Sequence, residues 1–126
     1  MITWNNLDTL TSFKELENVE RVDLVKAMAG ENGAERVKNY SVPMAEGLTY
    51  NYAAKQVDDK VLTALAKLAD EAQLTEKFEA LYNGEVINTG EKRLVLHHMT
   101  RGQLGEAVEA DGVDKRTFYT EQQAKI

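Results

Sequence analysis

Residues 57–72 read VDDKVLTALAKLADEA, and this stretch decides the fold class. Val57, Val61, Leu65, Leu68 and Ala72 recur at three- and four-residue intervals, with Leu62 and Ala69 flanking the stripe, which is the spacing of one helical face. Asp58 or Asp59 starts the run, and an acidic start suits the positive end of the helix dipole. The interior is rich in Ala, Leu and Lys, all good helix formers. An amphipathic helix is expected here, and a helix of this kind must bury its stripe against neighbours.

On the N-terminal side, Leu48 to Tyr52 and Tyr40 to Pro43 are two β-prone runs around Ala45-Glu46-Gly47, so a hairpin is expected. Leu48, Tyr50 and Tyr52 share one face, and Pro43, which cannot donate to a ladder, belongs at a strand end or edge. Further back, Val19, Val22, Val25 and Met28 recur every three residues, widened by Leu24, and predict a short helix that stops at Gly30. Gly30 to Gly33 reads as a turn, with a second short helix over Ala34 to Val37.

On the C-terminal side, Thr75 is the expected N-cap of a helix in which Phe78, Leu81 and Tyr82 face inward and which Asn83-Gly84 ends. Thr89 is expected to cap a further helix over Gly90 to Arg101, closed by Gly102. The polar tail from Glu106 to Ile126 carries a turn at Asp111-Gly112 and a helical start near Thr120. The fold class is therefore mainly α with a small β-hairpin, an α+β arrangement.

Composition excludes several function classes. The chain has 126 residues, a net charge of -6 and no cysteine, so disulfides, thiolate metal sites and cysteine nucleophiles are all removed. The acidic balance argues against sequence-independent binding to nucleic acid or to anionic membranes, both of which need clustered Lys and Arg. No basic, apolar leader opens the chain, and no apolar run approaches the ~20 residues that cross a bilayer, so a cytoplasmic protein is expected. With one proline and no repeat or low-complexity run, residues 1–126 read as a single domain or fragment.

The residues that could carry chemistry form no recognisable site. His97 and His98 point about 100° apart on a helix, so they cannot share a metal as an i, i+4 pair does. The glycine pairs Gly30 with Gly33 and Gly102 with Gly105 have the spacing of a nucleic-acid clamp but lack its basic, sheet-backed setting, and helix ends explain them better. Asp58 with Asp59 and Asp70 with Glu71 are adjacent helix charges rather than an acid and base pair. Ser12 and Ser41 have neither a local histidine nor elbow glycines. No catalytic, cofactor-binding or metal residue is therefore assigned, and no cofactor is expected.

Residues 78–101 read FEALYNGEVINTGEKRLVLHHMTR. This stretch resembles the N-terminal segment of the glucose-6-phosphate isomerase family, whose pattern is approximately F-x-x-M-F-x-G-E-x-I-N-x-T-E-x-R-x-V-L-H-x-x-x-R. Gly84, Glu85, Ile87, Asn88, Glu91, Arg93, Val95, Leu96, His97 and Arg101 fall in register. More loosely, Ala34 to Ser41 resembles the family's D-x-x-R-F-x-x-F-S entry to its first hairpin, and Tyr50-Asn51-Tyr52-Ala53 with Lys55 resembles its D-Y-S-K strand end. Two departures are present. Thr89 precedes Gly90 instead of standing directly before the glutamate, and Met99-Thr100-Arg101-Gly102 replaces Ala-Leu-Arg-Asn.

The resemblance implies a metal-free and cofactor-free isomerase of glycolysis and gluconeogenesis that interconverts glucose 6-phosphate and fructose 6-phosphate by acid-base proton transfer. It implies a homodimeric parent whose catalytic groups lie in downstream sugar-isomerase α/β domains absent from these residues. The chain alone is then expected to be inactive, its partner being the remainder of the isomerase chain. Arg93, His97 and Arg101, spaced i, i+4, i+8, would line one helix face, either as a stripe toward a sugar phosphate or in salt bridges to Glu85 or another domain, and the structural role is favoured. The reading from another class is a stand-alone helical interaction or regulatory domain, self-associating through the Val57 to Ala72 face.

Overall fold

A computed structural model describes residues 1–102 and 105–126. About 51% of the chain is helical, with two small antiparallel sheets, as the mainly helical class predicts. The structure divides into two compact units, residues 5–72 and residues 1–4 with 73–126. The later of its two boundaries falls at Gln73, which precedes a helix and has φ 55°.

In the unit of residues 5–72 the order is α1 (Thr11–Glu17), α2 (Leu24–Ala27), α3 (Gly30–Asn39), β1 (Ser41–Pro43), β2 (Thr49–Asn51) and α4 (Asp59–Glu71). The amphipathic helix forms where its period predicts, and Asp58 caps it by accepting from the Val61 N–H at 2.9 Å. The hairpin also forms, pairing Ser41 with Asn51, Val42 with Tyr50 and Pro43 with Thr49, so Pro43 ends its strand.

The expected helix over Val19 to Met28 shrinks to α2. Asp23 accepts from the N–H groups of Val25 and Lys26 at 3.1 and 3.2 Å, and this cap sets the helix start at Leu24. The expected turn over Gly30 to Gly33 is instead the first turn of α3. A Cβ at Gly33 would strike the Met28 carbonyl, so the bare glycine is what lets α3 fold back so closely on the end of α2.

Helix α1 packs on α4, and its start has no capping side chain of its own. The cap comes from the far end of α4. The Glu71 carboxylate accepts from the Thr11 N–H at 3.2 Å, the Ser12 N–H at 2.7 Å and the Ser12 hydroxyl. A carboxylate there satisfies orphan donors and meets the positive end of the α1 dipole. The hydrogen bond from the Ser12 hydroxyl, then that from its N–H, holds the Glu71 carboxyl below its ordinary pKa.

A depressed folded-state pKa gives a sign to the pH dependence. The contribution is present above the ordinary carboxylate value and is lost as pH falls through the depressed one. The unfolding temperature is therefore expected to fall between about pH 5 and pH 3. Glu71→Gln should flatten that slope in part and leave the rest to Asp114, whose pKa is also lowered, first by the Thr117 hydroxyl and then by the Val108 N–H. Thermal unfolding across this range checks it, and an unchanged slope in the variant would count against the cap.

In the other unit the order is α5 (Leu74–Tyr82), a 3-10 turn (His97–Arg101), β3 (Glu109–Ala110), β4 (Val113–Asp114) and α6 (Lys115–Gln123). Thr3 donates from its N–H and its hydroxyl to Gln73 Oε1 at 2.8 and 2.9 Å, which fastens the N-terminal residues to the start of α5. Helix α5 begins at Leu74, so Thr75 lies inside it and is not its cap. Phe78 is 63% exposed and not inward-facing, because the buried face of α5 is built on Ala80. Asn83-Gly84 ends α5 as predicted.

The turn at Asp111-Gly112 also forms, with both residues at positive φ, the conformation of a type I′ hairpin turn. Helix α6 starts five residues earlier than Thr120, at Lys115, because Asp114 accepts from the N–H groups of Arg116 and Thr117 at 3.1 and 3.3 Å. Met99, Val108 and Ala80 form the core of this unit.

Candidate functional site

The segment that carries the family pattern begins inside α5, at Phe78, and runs on past its end. Gly84 has φ +74°, its N–H reaches the Leu81 carbonyl at 3.1 Å, and the Glu85 N–H reaches that of Ala80 at 2.9 Å, the closure of a helix by a left-handed residue. A side chain at Gly84 would run into Val108.

The expected helix over Gly90 to Arg101 is absent. The Asn88 side chain accepts from the Glu91 N–H at 3.2 Å, the Arg93 N–H reaches the Asn88 carbonyl at 3.2 Å, and Lys92 takes φ 54°. These bonds close a tight turn with an Asn88–Arg93 bridge, so Thr89 caps nothing, and only the 3-10 turn His97–Arg101 follows. Gly102 does close that turn.

With the helix gone, Arg93, His97 and Arg101 do not line one helix face. Arg93 pairs with Glu91 at 3.9 Å and not with Glu85, and both partners are exposed. The ion pair of Arg93 is thus a local one. His97 is exposed, whereas both ring nitrogens of His98 are buried and its ring stacks on Tyr82 at 4.9 Å. Among the described residues no group of three His, Asp or Glu side chains is arranged to hold a metal.

The other sequence candidates have structural partners. Ser12 is buried against Glu71, and Ser41 donates to the Lys38 carbonyl at 3.3 Å. Asp58 is a cap, and Asp59 accepts from the Tyr40 hydroxyl at 2.9 Å. Gly102 and Gly105 bracket two residues that lie outside the described ones.

Two arginines, one in each unit, were not legible as special. Arg36 is buried and donates from Nε to the Ala53 carbonyl at 2.7 Å and from Nη2 to those of Lys55 and Val57 at 2.9 and 2.5 Å. Its guanidinium lies 4.3 Å from the centre of the Tyr40 ring. The planar fork thereby fastens the irregular connection that leaves the hairpin and enters α4.

Arg116 repeats the device in the other unit. It donates to the Glu106 and Tyr82 carbonyls at 2.5 and 2.6 Å and lies 4.9 Å from the Tyr82 ring. The only sequence signal for Arg36 was its place in the loose family pattern, and for Arg116 there was none. Both bind backbone and so position chain segments, while Nη1 of Arg116 is buried without a hydrogen-bond partner.

A family model described as phosphoglucose isomerase matches residues 51–126. The chain belongs to the phosphoglucose isomerase family. A glucose-6-phosphate isomerase of Treponema denticola is 52% identical over 98% of this chain, which spans 24% of that protein. One of Treponema pallidum is 40% identical over 99% of the chain, again 24% of the relative. The crystal structure of a glucose-6-phosphate isomerase from Chlamydia trachomatis superposes with a TM-score of 0.73 at 27% identity, covering 96% of this chain and 24% of that one. This phosphoglucose isomerase segment thus spans about a quarter of the length of the relatives it matches, and its fold is that of the corresponding part of a solved family member.

Proposed function

We propose that these residues are the N-terminal part of a glucose-6-phosphate isomerase that interconverts glucose 6-phosphate and fructose 6-phosphate in glycolysis and gluconeogenesis. The observation that carries this reading is the 52% identity along 98% of the chain to a quarter of a relative of that name. The segment's part is architectural, since its buried arginines and its capped helix ends hold backbone and not substrate. Proton transfer and phosphate binding fall to the remainder of the isomerase chain, which is the segment's partner, in a homodimeric parent. A cytoplasmic setting goes with that role, and among the described residues no helix is long and apolar enough to cross a membrane.

The test is a coupled assay that follows glucose 6-phosphate formed from fructose 6-phosphate. The 126-residue chain alone is expected to give no turnover above background. Grafted in place of the matching quarter of the Treponema denticola isomerase, it is expected to support turnover. Turnover by the short chain would overturn its passive role, and a soluble, folded, inactive graft would overturn the isomerase reading.

A further inference from the structure

The hairpin and α4 leave an open apolar groove of about 400 Å³ on the unit of residues 5–72. Its walls are Val42, Tyr50 and Tyr52 from the hairpin, Lys55 and Val57 from the connection, and Leu62 and Leu65 from α4, so one charged side chain joins an otherwise mostly apolar lining. Val42, Tyr50 and Leu65 remain 45%, 47% and 39% exposed, and beside the groove Leu48 and Met44 are more exposed still. Tyr50 stacks on Tyr52 at 6.0 Å, and Tyr52 meets Tyr40 edge to face at 5.4 Å, so the aromatic wall is braced from behind. Arg36 fixes the third wall by holding the Lys55 and Val57 carbonyls. A preformed, contiguous apolar surface of this kind marks a binding face and not scattered surface hydrophobics.

We infer that this groove is the seat for an apolar ridge contributed by the remaining three quarters of the isomerase chain, in cis. The inference rests on the proposed isomerase reading and names the surface that reading requires. The relatives supply an occupant, because the chain spans only 24% of their length and the rest of such a protein must cover apolar surface somewhere on this segment. A second copy of the segment fits the groove poorly. An isologous contact sets a surface against itself, and two concave apolar grooves leave a void where they face each other. An anionic membrane is disfavoured by the net charge of -6.

The probe is nitration of tyrosine by tetranitromethane, mapped by peptide mass spectrometry, on the 126-residue chain and on its graft into the Treponema denticola isomerase. Tyr50 is expected to react in the short chain and to be protected at least about tenfold in the graft, whereas half-buried Tyr119, on α6 and outside the groove, serves as an internal reference whose reactivity is compared between the two proteins. Tyr50→Asp and Leu65→Asp should lower the unfolding temperature of the graft, and Val25→Asp, at a residue 84% exposed away from the groove, should not. Equal reactivity of Tyr50 in both proteins overturns the docking, as does protection in the short chain that grows with its concentration, which would assign the groove to a second copy. The two readings separate cleanly. A graft that protects Tyr50 without turnover supports the docking and sinks the enzyme assignment, and an active graft with reactive Tyr50 does the reverse.

Discussion

Arg36→Ala is expected to lower the free energy of unfolding by about 2 to 4 kcal/mol, because it deletes charge-assisted hydrogen bonds and leaves one buried and two partly buried acceptors unpaired. The three carbonyls of Ala53, Lys55 and Val57 converge on one guanidinium. The lost contact with the Tyr40 ring adds to the effect. Urea unfolding followed by far-ultraviolet circular dichroism reads the change. Arg36→Lys should recover less than half of it, since a single ammonium cannot span carbonyls that a planar fork reaches from two nitrogens. A loss below about 1 kcal/mol would show that water substitutes freely at those carbonyls, and the arginine would then be dispensable.

Gly84→Ala is the other large effect, expected at about 2 to 4 kcal/mol. Left-handed backbone costs a non-glycine residue about 1 to 2 kcal/mol, and overpacking a core adds about 1 to 3. Both apply at once, since Gly84 has φ +74° and its added Cβ would meet the Val108 methyl groups. A double-mutant cycle separates the two. Val108→Ala should relieve the collision and leave the backbone cost, so the pair should be less damaging than the sum of the single changes. Strict additivity would mean that Val108 moves aside without cost, and the backbone alone would then account for the loss at this turn.

These two positions differ in how far they could be read in advance. Gly84 was legible, because a helical period followed by Asn-Gly is a local signal for a left-handed closure. What was not legible is that Val108, from another part of the chain, makes glycine obligatory there. Arg36 stood in the sequence only as a member of a short helix and of the loose family pattern. Its burial depends on the path of residues 53–57, and nothing within a helical turn of Arg36 announces that path. Glu71 is similar, for an acidic residue at the end of a helix is unfavourable by its own dipole and makes sense only as the cap of α1, 59 residues away.

The sequence by itself determined the elements whose causes lie within about four residues. These are the α4 helix with its Asp58 cap, the hairpin with Pro43 at its end, the closure at Asn83-Gly84 and the turn at Asp111-Gly112. It also determined the family, because the dense pattern over residues 78–101 survives whatever conformation those residues adopt. The tertiary structure alone decided that Phe78 turns outward, that Arg36 and Arg116 turn inward, and that residues 90–101 are a turn and a 3-10 turn where a helix was expected. The physical reason is that local propensities there are nearly balanced. A helix over residues 90–101 and the Asn88 side-chain turn differ by little in isolation, and the burial of Met99 with the stacking of His98 on Tyr82 tips the choice.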